Sequence, residues 1–378
     1  MSEALLQLSR ASQLHPVCFN LPDLQMIGRP VARGGFADIW KGLVRGQTVC
    51  VKAMILFQRS DRRTVEQNIG HEAIIWRQLS HPNLLPFFGL YYQDERLCLV
   101  SPWMSSGNIR EFLNSAPPYT DRVSLMLDIA LGLEYLHRNG VVHGDLKGLN
   151  VLITPSRRAC LADFGLSSIS DAMTVQFADS DDENTSVGGT ARYMAPELFS
   201  EPTRHFGSDV YAFACTCYEI LTGKAPFYEI HHDMGVAMKV VRGERPSRPD
   251  TILPDDNLWL LIQDCWAQNS ANRPSLTQVI QRLLSPAIGA RETQSSTDWD
   301  DTFSAKFRRS LRDFPLLPSV TEIKQKLFCD GMCSAGWQSI PNISPLVENP
   351  TQMVQTTILD NIEKESINRL NIPRVSFT

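Results

Sequence analysis

Two carboxylates, one amide and one lysine stand close together in the middle of this chain. His143-Gly144-Asp145-Leu146-Lys147-Gly148-Leu149-Asn150 runs into the apolar Val151-Leu152-Ile153 and, after a turn, into Ala162-Asp163-Phe164-Gly165. Asn150 follows Asp145 by five residues and Asp163 follows it by eighteen. One acid in such a loop can orient a nucleophile and take up its proton. The other acid, with the amide oxygen, suits a hard cation: Mg²⁺ takes few protein oxygens and completes its shell with waters and phosphate. The plain alternative is a solvated loop with unrelated acids, and the joint spacing argues against it.

Such a loop needs rigid neighbours. The apolar alternation on either side of it predicts short strands. Before it, Thr120 to His137 has helical periodicity, with Leu125, Ile129, Leu133 and Leu136 on one stripe and Gly140 as a stop. After it, Asp209 to Leu221 is apolar nearly all round and reads as a buried helix, with Asp209 placed to accept N–H bonds from the loop. Towards the start, Ile27 to Gly42 and Gln47 to Met54 alternate as strands. His71 to Leu79 reads as a helix that stops before His81-Pro82. Leu84 to Leu90 and Arg96 to Val100 read as two more strands, and Ser101 to Gly107 as a turn-rich link. Asn108 to Leu113 also has helical periodicity.

At 378 residues, 43% hydrophobic and 20% charged, the chain can bury a sizeable core. A net charge of −5 gives no electrostatic case for nucleic acid or an anionic membrane. The odd count of nine cysteines, without a framework, fits a reducing compartment. Cys329 and Cys333 could be half a metal site, but no second pair accompanies them. Met1 to Asn20 has no secretory pattern, and the apolar run Val210 to Leu221 is too short to span a bilayer. The expectation is a soluble, cytoplasmic protein, with the nucleus left open and the oligomeric state unassigned. Polar composition and scattered prolines after Leu284 predict a low-structure tail, with one amphipathic helix over Thr357 to Leu370.

Taken together, His143 to Asn150 and Asp163-Phe164-Gly165 resemble the catalytic loop (H-R-D-x-K-x-x-N) and metal loop (D-F-G) of eukaryotic protein kinases. Other segments resemble family motifs in the family's order. Ala32-Arg33-Gly34-Gly35-Phe36-Ala37-Asp38-Ile39 is similar to the glycine-rich phosphate loop, with Ala32 and Ala37 in place of two glycines. By itself an ordinary hairpin explains that segment equally well. Val49-Cys50-Val51-Lys52 resembles the V-A-I-K strand, whose lysine pairs with the α/β-phosphates; alone it is also what a snorkelling edge lysine looks like. Gly188-Gly189-Thr190-Ala191-Arg192-Tyr193-Met194-Ala195-Pro196-Glu197 resembles the end of an activation segment. Gly35 to Gly42, His81-Pro82-Asn83-Leu84-Leu85 and Cys265-Trp266 are similar to the tyrosine-kinase-like group, especially its expanded fungal members.

The resemblance implies an α+β, two-lobed kinase fold: a small antiparallel β-sheet N-lobe with one helix, and a larger, mainly helical C-lobe. Residues 1–20 would be an extension and 21–285 the kinase domain, with the N-lobe at about 21–101 and the C-lobe at about 105–285. Residues 286–378 would be the tail. It implies ATP and Mg²⁺, serine/threonine specificity and protein substrates. Lys52, held charged by Glu72, would take the α/β-phosphates; Asn150 and Asp163 would ligate the metal. Asp145 would act on the substrate hydroxyl and Lys147 would neutralise the transferring phosphate. Ala32, Arg33, Gly34, Gly35, Phe36, Ala37, Ile39, Cys50, Ser101, Pro102, Met104 and Leu152 would surround the nucleotide, with adenine on the Pro102 carbonyl and the Met104 N–H. Thr190 would approach Asp145 and Lys147, and Arg273 would pair with Glu197.

Gly144 departs from the family: it replaces the H-R-D arginine that normally receives an activation-loop phosphate. Phosphate-ordered activation is therefore not expected, even with Thr185 and Ser186 nearby. The rival class is a non-catalytic binding module on the same fold. Ala32, Ala37 and Gly144 support it, whereas the intact lysine and metal positions support catalysis.

Overall fold

The computed structural model describes residues 21, 23–33, 37–55, 69–70, 73–93, 96–117, 119–164, 190–200, 204–249, 256–290, 298–300 and 302–310. All of them fall in the first of two units, Met1–Asp313. Glu72, Gly34, Gly35, Phe36, Thr185, Ser186, Cys329, Cys333 and the Thr357–Leu370 segment lie outside the described residues.

The first lobe is a five-stranded antiparallel sheet in the order β1-β2-β3-β5-β4. Its strands are β1 (Gln25–Arg33), β2 (Ala37–Val44), β3 (Gln47–Met54), β4 (Gly89–Gln93) and β5 (Arg96–Pro102). A two-residue loop joins β2 to β3, with φ of 45° at Arg45 and 84° at Gly46. Positive φ at both central residues gives the turn whose twist matches the flanking strands. The period of two along β3 sorts its side chains. Val49, Val51 and Ala53 are buried on one face in a cluster with Phe88, Val100 and Phe307. Cys50 and Lys52 alternate with them and so point to the other face.

Leu84 to Leu90 is not one strand. β4 starts only at Gly89, and Leu84 makes an isolated bridge to Leu161. Pro86 has no N–H to give to a ladder, so the segment runs as an extended linker. Before it, residues 69–70 and 73–78 are helical. Trp76 Nε1 donates to the Leu85 carbonyl at 2.7 Å and ties that helix to the linker.

The second lobe is built on helices. α1 (Ile109–Ser115) starts with a reciprocal cap between Asn108 and Glu111. α2 (Arg122–Arg138) is capped by Asp121, which accepts from Ser124 N and Oγ. A two-stranded sheet follows, β6 (Val151–Ile153) against β7 (Ala159–Leu161). Then come α3 (Phe206–Thr222), α4 (Asp233–Val241), α5 (Asp256–Cys265) and α6 (Leu276–Leu283). α3 is buried from Ser208 to Leu221, as its apolar composition demands, and ends at Gly223 with φ 69°. An ion pair between buried Asp128 and half-buried Arg158 fastens α2 to β7: Arg158 Nε donates to both Asp128 carboxylate oxygens, at 3.0 and 2.8 Å, and Ala159 N to Oδ2 at 2.9 Å.

The expected low-structure tail does not hold for its first part. A helix, α7 (Phe303–Ser310), follows α6, and Trp299 and Phe307 are each only 6% exposed. The apolar side chains Trp299, Phe303 and Phe307 are spaced by four residues in an otherwise polar stretch, with Phe303 half-buried between the two buried rings.

Candidate active site

The loop between α2 and β6 is held from below by α3. Asp209, 1% exposed, accepts His143 N at 2.8 Å and Gly144 N at 2.9 Å, and its Oδ2 lies 2.8 Å from His137 Nε2. Gly144 sits at φ 77°, a conformation glycine takes without a Cβ penalty. Ten residues, nearly three helical turns, further along α3, Glu219 holds the other end of the loop. Its Oε2 accepts Gly148 N at 3.0 Å and the Tyr193 hydroxyl at 2.7 Å, and Arg110 Nε lies 2.8 Å from Oε1. A Cβ on residue 148 would meet Glu219 Oε2 at 2.5 Å, so the close approach relies on Gly148. Burial pushes the Glu219 carboxyl above its ordinary range, more than Tyr193 and Arg110 pull it down.

Between these anchors the chemistry-bearing side chains meet. Lys147 Nζ donates to Asp145 Oδ2 at 2.7 Å. Asn150 Nδ2 donates to the Asp145 carbonyl at 2.8 Å and to its Oδ2 at 3.0 Å. The 3₁₀ turn Gly148–Asn150 sets that geometry. Ala162 N donates to the Asn150 carbonyl at 2.8 Å, which brings Asp163 beside the loop. Asp163, at φ 58°, pairs with Lys52 Nζ from β3 at 2.7 Å. Burial acts to raise the Asp163 carboxyl, and Lys52, with smaller help from His143 and Lys147, holds it below the usual carboxylate range.

Phe164 packs inward. Its ring meets His143 at 6.3 Å and Trp76 at 5.7 Å, both edge-on. Asp145 N donates to His143 Nδ1 at 3.4 Å, and burial lowers the pKa of this imidazole against the pull of Asp209, Asp145 and Asp163.

The surroundings of the cleft follow the strand register. Cys50 pairs across from Ser101, Val49 from Pro102, and Ile39 from Lys52. Burial pushes the Cys50 thiol up to about 11, so it is a small apolar lining group and not a nucleophile. Ser101 and Met104 are buried, Leu152 on β6 is half-buried, and Ala32 and Arg33 end β1 opposite Ile39 and Asp38. Thr190 begins a 3₁₀ turn, but its side chain is outside the described set.

Beyond the cleft, Arg273 binds Glu197 with two parallel bonds of 2.6 and 2.7 Å and also donates to the Gly207 carbonyl at 2.8 Å. Arg192 donates to the carbonyls of Pro226, Phe227 and Ile230. Sequence reasoning misses Arg192, Glu219, Tyr193 and Arg110. The only signal was a lone glutamate inside the apolar run Val210 to Leu221.

A family model described as protein tyrosine and serine/threonine kinase matches residues 25–283. The chain belongs to the protein kinase family. Among curated kinases of Arabidopsis thaliana, it is 35% identical to serine/threonine-protein kinase VIK, over 72% of this chain and 61% of that one. It is 31% identical to serine/threonine/tyrosine-protein kinase HT1, over 68% and 65%. It is 28% identical to mitogen-activated protein kinase kinase kinase 2, over 71% and 41%. The matches thus span between two fifths and two thirds of these relatives' lengths. The relatives agree with the tyrosine-kinase-like resemblance of the motifs, and the two-lobed α+β kinase fold is the one observed.

Kinase membership implies ATP and a divalent cation. The donor set suits a hard cation: both amide hydrogens of Asn150 are directed to Asp145, which leaves its Oδ1 as an acceptor, and Asp163 is a carboxylate kept ionised by Lys52. No helix among the described residues is long and apolar enough to cross a membrane.

Proposed function

We propose that this kinase transfers the γ-phosphoryl group of ATP, with Mg²⁺, to serine or threonine hydroxyls of protein substrates. The observation that carries the reading is the joined pair of contacts at the cleft, Lys147–Asp145–Asn150 on one side and Lys52–Asp163 on the other. Phosphoryl transfer spreads charge over the γ-phosphoryl oxygens, so positioning and charge neutralisation dominate. Asp145 orients the substrate hydroxyl and takes its proton as the oxygen–phosphorus bond forms and the bond to the ADP leaving group breaks. Lys147 neutralises the oxygens in transit. Lys52 releases Asp163 to hold the α/β-phosphates, with Glu72 as its other partner. Asn150 and Asp163 would hold Mg²⁺, which would supply positive charge to screen the phosphates.

Ser101, Cys50, Ala37, Ile39, Met104 and Leu152 surround the adenine, with the Pro102 carbonyl and the Met104 N–H on its edge. Lys147 favours serine and threonine. The chain is assigned to the cytoplasm, where the thiols of Cys50, Cys98, Cys160, Cys215, Cys217 and Cys265 stay free. A peptide-library phosphorylation screen with Lys52→Met beside the wild type tests the reading. Because one relative is named for tyrosine as well, the library carries all three hydroxyls. Phosphate on serine or threonine peptides, lost in Lys52→Met, is expected; phosphate on tyrosine alone, or on none, rejects the proposal.

A further inference from the structure

The family match ends at residue 283, yet the chain returns to the N-lobe after it. Asp298 accepts Ser156 N at 3.1 Å and also the Ser156 hydroxyl, on the turn between β6 and β7. Trp299 Nε1 donates to the His81 carbonyl at 3.0 Å, just beyond the helix that carries Trp76. α7 then lies on the outer face of the sheet. Phe307 stacks on Phe88 with ring centroids 3.7 Å apart and planes 13° apart, inside the cluster that contains Val49, Val51 and Ala53. Arg308, 9% exposed, donates to the carbonyls of Phe87 at 3.0 Å and Phe88 at 3.4 Å. Arg45, in the β2–β3 turn, closes the far end on the Ser310 carbonyl at 2.8 Å.

The contacts of Phe307 and Arg308 fall on the linker before β4. The linker before β4 lacks a strand ladder, so Arg308 supplies donors that a neighbouring strand would otherwise give. The same linker sets the Trp76 side chain: Leu85 accepts its indole N–H, and Phe87 packs against its ring at 5.1 Å. Trp76 in turn meets Phe164, next to Asp163. We infer that residues 298–310 form a strap whose Trp299, Phe307 and Arg308 are positioning residues for the nucleotide site. They act through the 84–88 linker and Trp76 on the Lys52–Asp163 pair. The inference rests on the kinase reading for its effect on turnover, but not for its effect on the N-lobe. A strap that holds the linker keeps Phe164 packed and Asp163 aimed; a strap that lets go loosens both without touching the peptide side of the cleft.

The test uses the full chain with Phe307→Ala, Arg308→Ala and the milder Phe307→Leu, at a temperature where circular dichroism shows each folded. Amide hydrogen exchange over residues 73–88 and the KM values for ATP and for peptide are compared with wild type. The alanine variants are expected to exchange faster there and to raise the KM for ATP about threefold or more, with the KM for peptide unchanged and Phe307→Leu intermediate between them and wild type. If the alanine variants only melt earlier, with exchange over 73–88 and the KM for ATP as in wild type, the inference is wrong. Should the wild type itself transfer no phosphate, the functional reading fails, and the exchange comparison alone still decides whether the strap holds the linker. If an alanine variant does not fold, Phe307→Leu carries the comparison, with intermediate changes expected and none overturning the inference.

Discussion

Replacing Asp209 by asparagine tests how the catalytic loop is held. The carboxylate is buried and serves His143 N, Gly144 N and His137 Nε2, all within 2.9 Å. Asparagine keeps one acceptor oxygen. Aimed at His143 N and His137, it turns its amide N–H₂ towards Gly144 N, donor against donor. Leaving that buried N–H unpaired, and losing the charge on the remaining bonds, costs about 2–4 kcal/mol. For a domain of this size that is a fall in melting temperature of about 5–15 °C. The loop carries Asp145, and a displacement of about 1 Å there lowers turnover about a hundredfold. Thermal melts and steady-state kinetics at 25 °C on folded protein measure both. An asparagine variant that melts within about 2 °C of wild type, with unchanged kcat, refutes the reasoning.

Three further outcomes follow from single contacts. Arg273→Lys replaces a two-pronged bond to Glu197 by a point charge that cannot also reach the Gly207 carbonyl, and should lower stability by about 1–3 kcal/mol in a denaturant titration. Gly144→Arg places a side chain at φ 77° and should cost about 1–2 kcal/mol in the same titration, whatever charge it brings. Burial lowers His81 to about 4, against about 6.5 in the unfolded chain. The unfolded state therefore binds the proton first, so this contribution is complete above pH 6.5 and is lost as pH falls towards 4. In His81→Asn, which keeps an acceptor for Asn83 N, stability measured at about pH 7.5 and about pH 5 should differ less than in wild type.

The grouping of the candidate site residues was legible in the sequence because their contacts are largely local. Asp145, Lys147 and Asn150 lie within one loop, and a single turn brings them into contact. β3 is legible to the residue, since its alternation Val49, Val51, Ala53 against Cys50, Lys52 is unbroken. Leu84 to Leu90 is misread because its apolar residues describe burial, while Pro86 denies it a ladder. Glu219 is illegible for another reason: what makes it useful comes from Arg110, Gly148 and Tyr193, on three separate segments. The strap is hidden by its composition. Arg291 to Asp301 reads as linker, and only the four-residue spacing of Trp299, Phe303 and Phe307 marks a buried face.

In the proposed reaction Asp145, set by Lys147 and Asn150, acts on a protein hydroxyl while Lys52 and Asp163 hold the nucleotide and its cation. Asp145→Asn measures it most directly, in a radiolabelled phosphate-transfer assay run with and without Mg²⁺, beside nucleotide binding. The wild type should transfer phosphate only with Mg²⁺. The variant should lose about 10²–10⁴ in turnover and bind ATP as before. Near-wild-type turnover in Asp145→Asn would contradict the account.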